Sequence, residues 1–441
     1  MRRSRLLGVT LHEETTAVLP AAYPFLAEPG LGAPGAYIGR DVLGGSFTFD
    51  PFNLYAAGAL TNPNMLIAGQ VGFGKSSLVK TFILRQIAFG RTAWIADPKG
   101  EYAPLAAAVG GTPLRLGPGS SARLNPLDAP QGADDGHRLR LLQALAATAL
   151  GRPLNPVEHA ATGFALQAVT QSRPAPVLAD VVAALLHPSQ DAANSVELPV
   201  ADLVDRSRDL ALVLRRMCDG DLAGMFDAPT TVTIDGDTPL FVLDLSAVYQ
   251  SNREALPLVL ACATSWLQTH IATQGGQRYV VIDEAWALLS HLATARWLQQ
   301  SFKLSRAHGV ANIAVLHRLS DLVAAGDAGS QAVELARGLL ADTGTRVIYN
   351  QSPGEVADAQ RLLGLTSTEA ELLPQLRRAL ALWNVGGRSF LVEHHRSAIE
   401  AELADTDDAM TGRLADGTGD QVDLAATGDG LTGDPADEAA A

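Results

Sequence analysis

Short apolar runs alternate along this chain with segments whose apolar residues recur every three or four positions. Met65-Leu66-Ile67-Ala68 is a continuous apolar run. After a glycine-rich stretch it is followed by Leu78, Val79, Phe82, Ile83 and Ile87 at helical spacing. Similar runs predict strands at Asn64–Ala68, Thr92–Ala96 and Pro113–Leu116. They recur at Thr230–Ile234, Leu240–Leu245, Tyr279–Ile282, Asn312–Leu316 and Arg346–Tyr349. Strands separated by helices predict an α/β fold with a parallel-rich sheet. Residues 36–52 read as short strands with turns. A hairpin of Ala379–Val385 and Ser389–His394 turns at Gly386-Gly387.

Between about 126 and 226 the pattern becomes helical throughout. Arg138–Leu150, Val157–Val169, Val177–Leu186 and Arg206–Cys218 carry helical periodicity. Asn155-Pro156, Ser172-Arg173-Pro174 and His187-Pro188 break them apart. The organisation expected is an arm over 1–35 and a first part of the core over 36–125. An inserted all-helical subdomain over 126–226, a second part of the core over 227–400 and a tail over 401–441 follow.

Charge sharpens the last boundary. From Ala401 onward there are eleven acidic residues against Arg413 alone, so most of the net charge of −14 lies there. That segment holds no aromatic residue and is rich in Gly, Asp, Thr and Ala, a composition that predicts a disordered acidic C-terminal tail. The remainder is nearly neutral, so no global basic surface points to nucleic acid. Cys218 and Cys262 form neither a metal spacing nor a disulfide framework, which suggests a cytoplasmic chain. The longest apolar run, Leu256 to Ile271, contains Thr264, Ser265 and Gln268 and reads as a buried helix rather than a membrane span. Met1-Arg2-Arg3-Ser4-Arg5 is basic but lacks a following signal-type apolar region, so membrane association is expected only through partners.

The strongest chemistry lies in Gly69 to Ser76, GQVGFGKS, which fits the phosphate-binding pattern G-x-x-x-x-G-K-[ST] between a strand and a helix. Gly69, Gly72 and Gly74 let backbone N–H groups turn toward phosphate oxygens, and the helix N-terminus behind them adds partial positive charge. Gln70, Val71, Phe73 and Ser77 complete the loop. Lys75 is placed to reach the β- and γ-phosphates of ATP, and Ser76 to ligate Mg²⁺. A second apolar strand, Tyr279 to Ile282, ends in Asp283-Glu284. Asp283 is placed to hold Mg²⁺ through water. Glu284 is placed as the general base that polarises the attacking water, which suits an ATPase.

Several segments in order between Ala36 and Ile399 resemble the HerA/FtsK superfamily of ring-forming ATPases. These are the approach IGRDVLGGSFTFDPFNLYAAGALTNPN, the P-loop GQVGFGKSSLVK and IADPKGEY. LGPGSSARLNPLD, FVLDLS, VVIDEAW, SRAHGVANIAVLHRLSD and TGTRVIYNQ follow. Within that superfamily the chain looks most like the type IV secretion (conjugation) ATPases of VirB type. The resemblance implies a RecA-like P-loop core, a hexameric ring and ATP-driven transport or assembly at the inner face of the cell membrane. The implied partners are secretion or conjugation components of that membrane. Arg306 matches the position of an arginine finger that reaches a neighbouring subunit, and Arg346 a second basic position at that interface. Asp97 and Glu101 match the acidic pair of the second-strand signature. They either act near the nucleotide or cap and anchor their loop.

Two departures stand out. His317 occupies the position where the family usually places a γ-phosphate-sensing Gln. An imidazole still donates a hydrogen bond, but then with pH dependence. Only about 68 residues precede Gly69, whereas ATPases of this type usually carry a large N-terminal domain there. Either a separate polypeptide supplies that domain or the protein acts without it. The rival readings are a HerA/FtsK-like DNA translocase, for which DNA is a further partner, and a non-enzymatic assembly subunit that binds ATP. A small-molecule kinase has no acceptor-binding signature behind it.

Overall fold

In a computed structural model of the chain, the described residues are 30–128, 135–173, 175–232, 238–274, 276–289, 292–317 and 331–405. The chain divides into a compact unit ending at Ala404 and a second unit from Asp405 onward.

The compact unit is built on an eleven-stranded sheet among the described residues. Its strands are β1 (Ala36–Asp41), β2 (Ser46–Phe49), β3 (Met65–Ala68), β4 (Thr92–Asp97), β5 (Thr112–Arg115) and β6 (Leu240–Asp244). β7 (Arg278–Ile282), β8 (Val310–Leu316), β9 (Thr345–Ile348), β10 (Leu380–Val385) and β11 (Arg388–His394) complete it. The spatial order is β2-β1-β11-β10-β9-β3-β8-β7-β4-β6-β5. From β9 to β5 every pairing is parallel. From β9 through β10, β11, β1 and β2 every pairing is antiparallel.

The parallel strands are apolar end to end because both faces are covered. Every residue of β3, β7 and β8 is buried. Strand periodicity assigns alternate residues to two cores. Met65, Ile67, Ile95, Val242, Tyr279 and Val281 face the P-loop helix, Lys75–Ala88, and pack with its Leu78, Val79, Phe82 and Ile83. Leu66, Ala68, Trp94, Phe241, Val280 and Ile282 face the other way. There they join the helices Asp135–Leu150, Pro156–Ser172, Leu178–Leu186, Val200–Asp219 and Leu256–Gln274. The last of these is the apolar run of the sequence. Thr264 lies fully buried in it and satisfies its hydroxyl by donating 2.6 Å to the Leu260 carbonyl. The expected break at Asn155-Pro156 is a helix start: Asn155 accepts from the Glu158 N–H, and Glu158 returns the bond to the Asn155 N–H.

Two expectations shift. Thr230–Val232 form no strand. The Thr230 hydroxyl accepts from the Asn125 N–H, and the Thr231 N–H donates to the Arg123 carbonyl, so this segment straps the loop after β5. The remainder of that expected strand, residues 233–234, lies outside the described residues. At the other end, the helix Ala398–Ala404 carries regular structure past residue 401. Ser397 and Glu400 cap it reciprocally, and the Glu400 carboxylate accepts two bonds from Arg85 of the P-loop helix, 2.6 and 2.8 Å. Composition registers only the acids of this segment. Packing supplies their partner.

Candidate functional site

In a parallel sheet the loops leaving adjacent strands gather at one edge. Here β3, β8, β7 and β4 are consecutive neighbours. Their carboxyl ends lead into the P-loop, His317, Asp283-Glu284 and Asp97-Pro98-Lys99 respectively. Residues more than 200 positions apart in sequence thereby share one small volume.

The P-loop takes its shape from backbone needs. Gly69 has φ +150° and packs so closely on β9's exit that a Cβ there would lie 2.5 Å from the Tyr349 Cβ. Gly74 has φ +110° at the start of the helix, and the preceding Phe73 carbonyl accepts from the Ala379 N–H at 3.0 Å. Lys75 is buried. Its ammonium donates to the carbonyls of Gly69, 2.6 Å, and Gln70, 2.9 Å, folding back over the loop. Burial lowers its pKa to about 8, against the opposing pull of Asp283 and Glu284. Ser76 and Ser77 follow on the first turn, both half-buried.

Asp283 is buried. One oxygen accepts from the Glu284 N–H at 2.9 Å, and the other has the Tyr102 hydroxyl at 3.4 Å. Burial pushes its pKa up, and the adjacent Glu284 adds to the effect. Glu284 itself has φ +55°, a conformation that a non-glycine residue adopts at a cost of about 1–3 kcal/mol. Its neighbours hold it there: the Ala285 N–H donates to Val315 and the Ala287 N–H to the Glu284 carbonyl. From this turn the Glu284 carboxylate meets groups that follow β4 and β8. One of its oxygens lies 2.6 Å from the Lys99 ammonium and 2.7 Å from His317 Nε2. The other accepts from the Trp286 indole N–H. Burial raises the Glu284 pKa, but the hydrogen bonds from His317 and Lys99 outweigh it and hold the carboxyl at about 2. His317 therefore belongs to the site as a direct partner of Glu284.

The acidic pair of the second-strand signature has anchoring contacts. Asp97 is fully buried and accepts from the N–H groups of Lys99, Gly100 and Tyr102 at 3.2, 2.8 and 2.9 Å, fixing the loop. Burial raises its pKa to about 6, although those backbone bonds pull the other way. Glu101 pairs at 3.5 Å with Lys80, a buried lysine of the P-loop helix. Arg346 stands at the start of β9, and its guanidinium donates to the carbonyls of Leu340 at 2.9 Å and Leu363 at 3.3 Å. These lie in the last turns of two helices, where a cation opposes the exposed carbonyls. Arg346 thus bonds to none of the residues around Lys75. Arg306 lies in the turn Ser305–His308 before β8, and its side chain is outside the described residues.

Among the described residues no three His, Cys, Asp or Glu side chains cluster as a metal cage. Mg²⁺ takes one or two protein oxygens and completes its shell with phosphates and water. Buried Asp283, with a single short donor, and Ser76 on the first helical turn fit such a role. The signal that reasoning from sequence passed over is Lys99. It sits inside the DPKGEY motif, yet only the fold brings it onto Glu284.

A glycine loop at the end of one central parallel strand and a buried Asp-Glu pair at the end of a strand two places away define a RecA-like P-loop nucleotide-binding fold. The comparisons agree. No family model matches the chain. Protein TraC of Escherichia coli K12 is 24% identical over 313 residues, which cover 68% of this chain and 34% of TraC. The chain thus spans about a third of that curated relative. Among solved structures, VirB4 of Thermoanaerobacter pseudethanolicus superposes with a TM-score of 0.70 at 20% identity, covering 83% of this chain and 98% of that one. The plasmid coupling protein TrwB in complex with the ATP analogue ADPNP superposes at 0.55 and 15% identity, covering 78% and 87%. TrwB with ADP and Mg²⁺ superposes at 0.55 and 14%, covering 76% and 86%. The fold expected from the motifs is borne out, and the chain is similar to TraC, VirB4 and TrwB.

Proposed function

We propose that the chain is a Mg²⁺-dependent ATP-hydrolysing motor that powers type IV secretion or conjugative transfer. The observation that carries the reading is the convergence of Lys75 with the buried Asp283 and Glu284 at the carboxyl edge of one parallel sheet. The likeness to TraC, VirB4 and nucleotide-bound TrwB supports it.

In this reading Gly69 to Ser77 wrap the phosphates, and Lys75 exchanges its two carbonyl partners for phosphate oxygens. Ser76 and Asp283 would hold Mg²⁺, which would neutralise charge on the phosphates. Glu284 takes a proton from the attacking water, with Lys99 and His317 setting the position of its carboxylate. A neighbouring copy in a hexameric ring supplies Arg306. The partners are further copies and membrane components of a secretion or conjugation system, which would hold the protein at the inner face of the membrane. Among the described residues no helix is long and apolar enough to cross a membrane.

The test is phosphate release from ATP by the purified protein, with and without Mg²⁺, over a range of protein concentrations. Mg²⁺-dependent release that is lost in Lys75→Ala supports the reading. ATP binding without release at any concentration would establish the non-enzymatic alternative. Release that requires added DNA would favour a DNA translocase.

A further inference from the structure

Lys99 has three donors and a compact charge, and the structure uses it in a particular way. The buried Asp97 carboxylate takes up the N–H groups of Lys99, Gly100 and Tyr102, so the loop carrying Lys99 is pinned from below. The side chain then extends over the site to Glu284 at 2.6 Å. Glu284 is almost fully enclosed, with 1% of its side chain exposed, whereas Lys99 keeps 25%. Lys99 is thus the member of the pair on the open side of the site. It is also close enough to Lys75 for its charge to disfavour the Lys75 ammonium. The Lys75 ammonium is held on the Gly69 and Gln70 carbonyls of the P-loop, and Lys99 leaves the end of β4 at the same edge of the sheet. A lysine ammonium has three donors and no acceptor, so Glu284 leaves it with capacity for another anion.

We propose that Lys99 is a positioning residue that reads the terminal phosphate of the nucleotide, shared between the γ-phosphate and Glu284. This deepens the ATPase reading and rests on it. With the terminal phosphate present, Lys99 turns one or two donors to it and loosens its hold on Glu284, freeing a carboxylate lone pair for water. With a nucleoside diphosphate, Lys99 stays on Glu284, and both oxygens of that carboxylate remain occupied by Lys99, His317 and Trp286. Lys99 thereby makes the site discriminate between triphosphate and diphosphate, and ties that discrimination to the availability of the base.

The test is equilibrium binding of a fluorescent ATP analogue and the matching ADP analogue in Mg²⁺, without turnover. Lys99→Met should weaken the triphosphate about tenfold and leave the diphosphate within about twofold. Lys99→Arg, which keeps the charge, should retain most of the discrimination. Glu284→Gln removes the competing anion, so it should bind the triphosphate more tightly than the natural protein. The double variant Lys99→Met/Glu284→Gln should lose that gain. Equal loss of both nucleotides in Lys99→Met, with an unchanged melting midpoint, would overturn the proposal. So would undiminished discrimination. Failure of the underlying reading looks different: the natural protein would then bind neither nucleotide, or would bind both equally with or without Lys75.

Discussion

At the residue scale the decisive group is Glu284. One of its oxygens is held by Lys99 and His317 and the other by the Trp286 indole N–H, so in the proposed reading proton acceptance requires a partner to let go. Changing Glu284→Gln keeps the shape and the Trp286 contact but removes proton acceptance. Nucleotide binding should survive while turnover falls by about 10²–10⁴. Lys75→Ala should instead weaken binding itself, because its ammonium is the buried cation over the P-loop. Titration with a fluorescent nucleotide beside a phosphate-release assay separates the two. Equal loss of binding in both variants would refute the roles. Lys75, Asp283 and Glu284 were legible in the sequence because each belongs to a local pattern of strand, loop and acid. Lys99 was not. Its partner is 185 positions away, and the left-handed turn at Glu284 that aims the carboxylate at it leaves no mark in a linear motif.

At the scale of elements, the P-loop helix is gripped from outside the sheet by the helix Ala398–Ala404. Arg85 binds Glu400 with two bonds and also donates to the His395 carbonyl, and Lys80 donates to the Ala404 carbonyl. Glu400→Gln should cost ~1–2 kcal/mol by weakening a charge-assisted pair. Its pH signature follows from the sign of the shift. Burial raises the Glu400 pKa, but the Arg85 and Ser397 bonds prevail and depress it from 4.5 to about 2. The stabilisation is therefore complete above about 4.5 and drains away as pH falls toward 2. Melting midpoints of the two proteins should differ by a few degrees at pH 6 and converge in acid. A difference that grows on acidification would count against the pair. A chain ending at Asp405 should keep the stability and hydrolysis of the full chain, because the sequence beyond it carries few large apolar residues and no aromatic one. A chain ending at Ser397 should melt lower, since Arg85 and Lys80 then lose buried partners. Most strands were legible here, because a fully buried parallel strand is apolar from end to end. Thr230–Val232 misled because alternating Thr and Val look the same in a strand and in a strap whose threonine hydroxyls accept from the Arg123 and Asn125 N–H groups.

At the scale of the whole molecule, the placement of Arg306 bears on assembly. Its turn precedes β8, whereas Lys75, Glu284 and His317 gather at the far, carboxyl end of that strand and its neighbours. Seven residues of extended strand separate the two edges by about 20 Å. In the reading proposed above, Arg306 serves the site of another copy. A finger of that kind is typically worth 10³–10⁵ in rate, about 4–7 kcal/mol of barrier, and that contribution exists only while subunits are apposed. Hydrolysis per molecule should therefore rise with protein concentration and track the fraction assembled, as measured by light scattering on the same samples. Mixing Arg306→Ala with Glu284→Gln should restore part of the activity that each lacks alone, because some boundaries in a mixed ring hold both intact residues. No recovery at any ratio, in rings shown to be mixed, would remove Arg306 from the mechanism. Activity that stays proportional to a monomeric species would refute the trans arrangement itself.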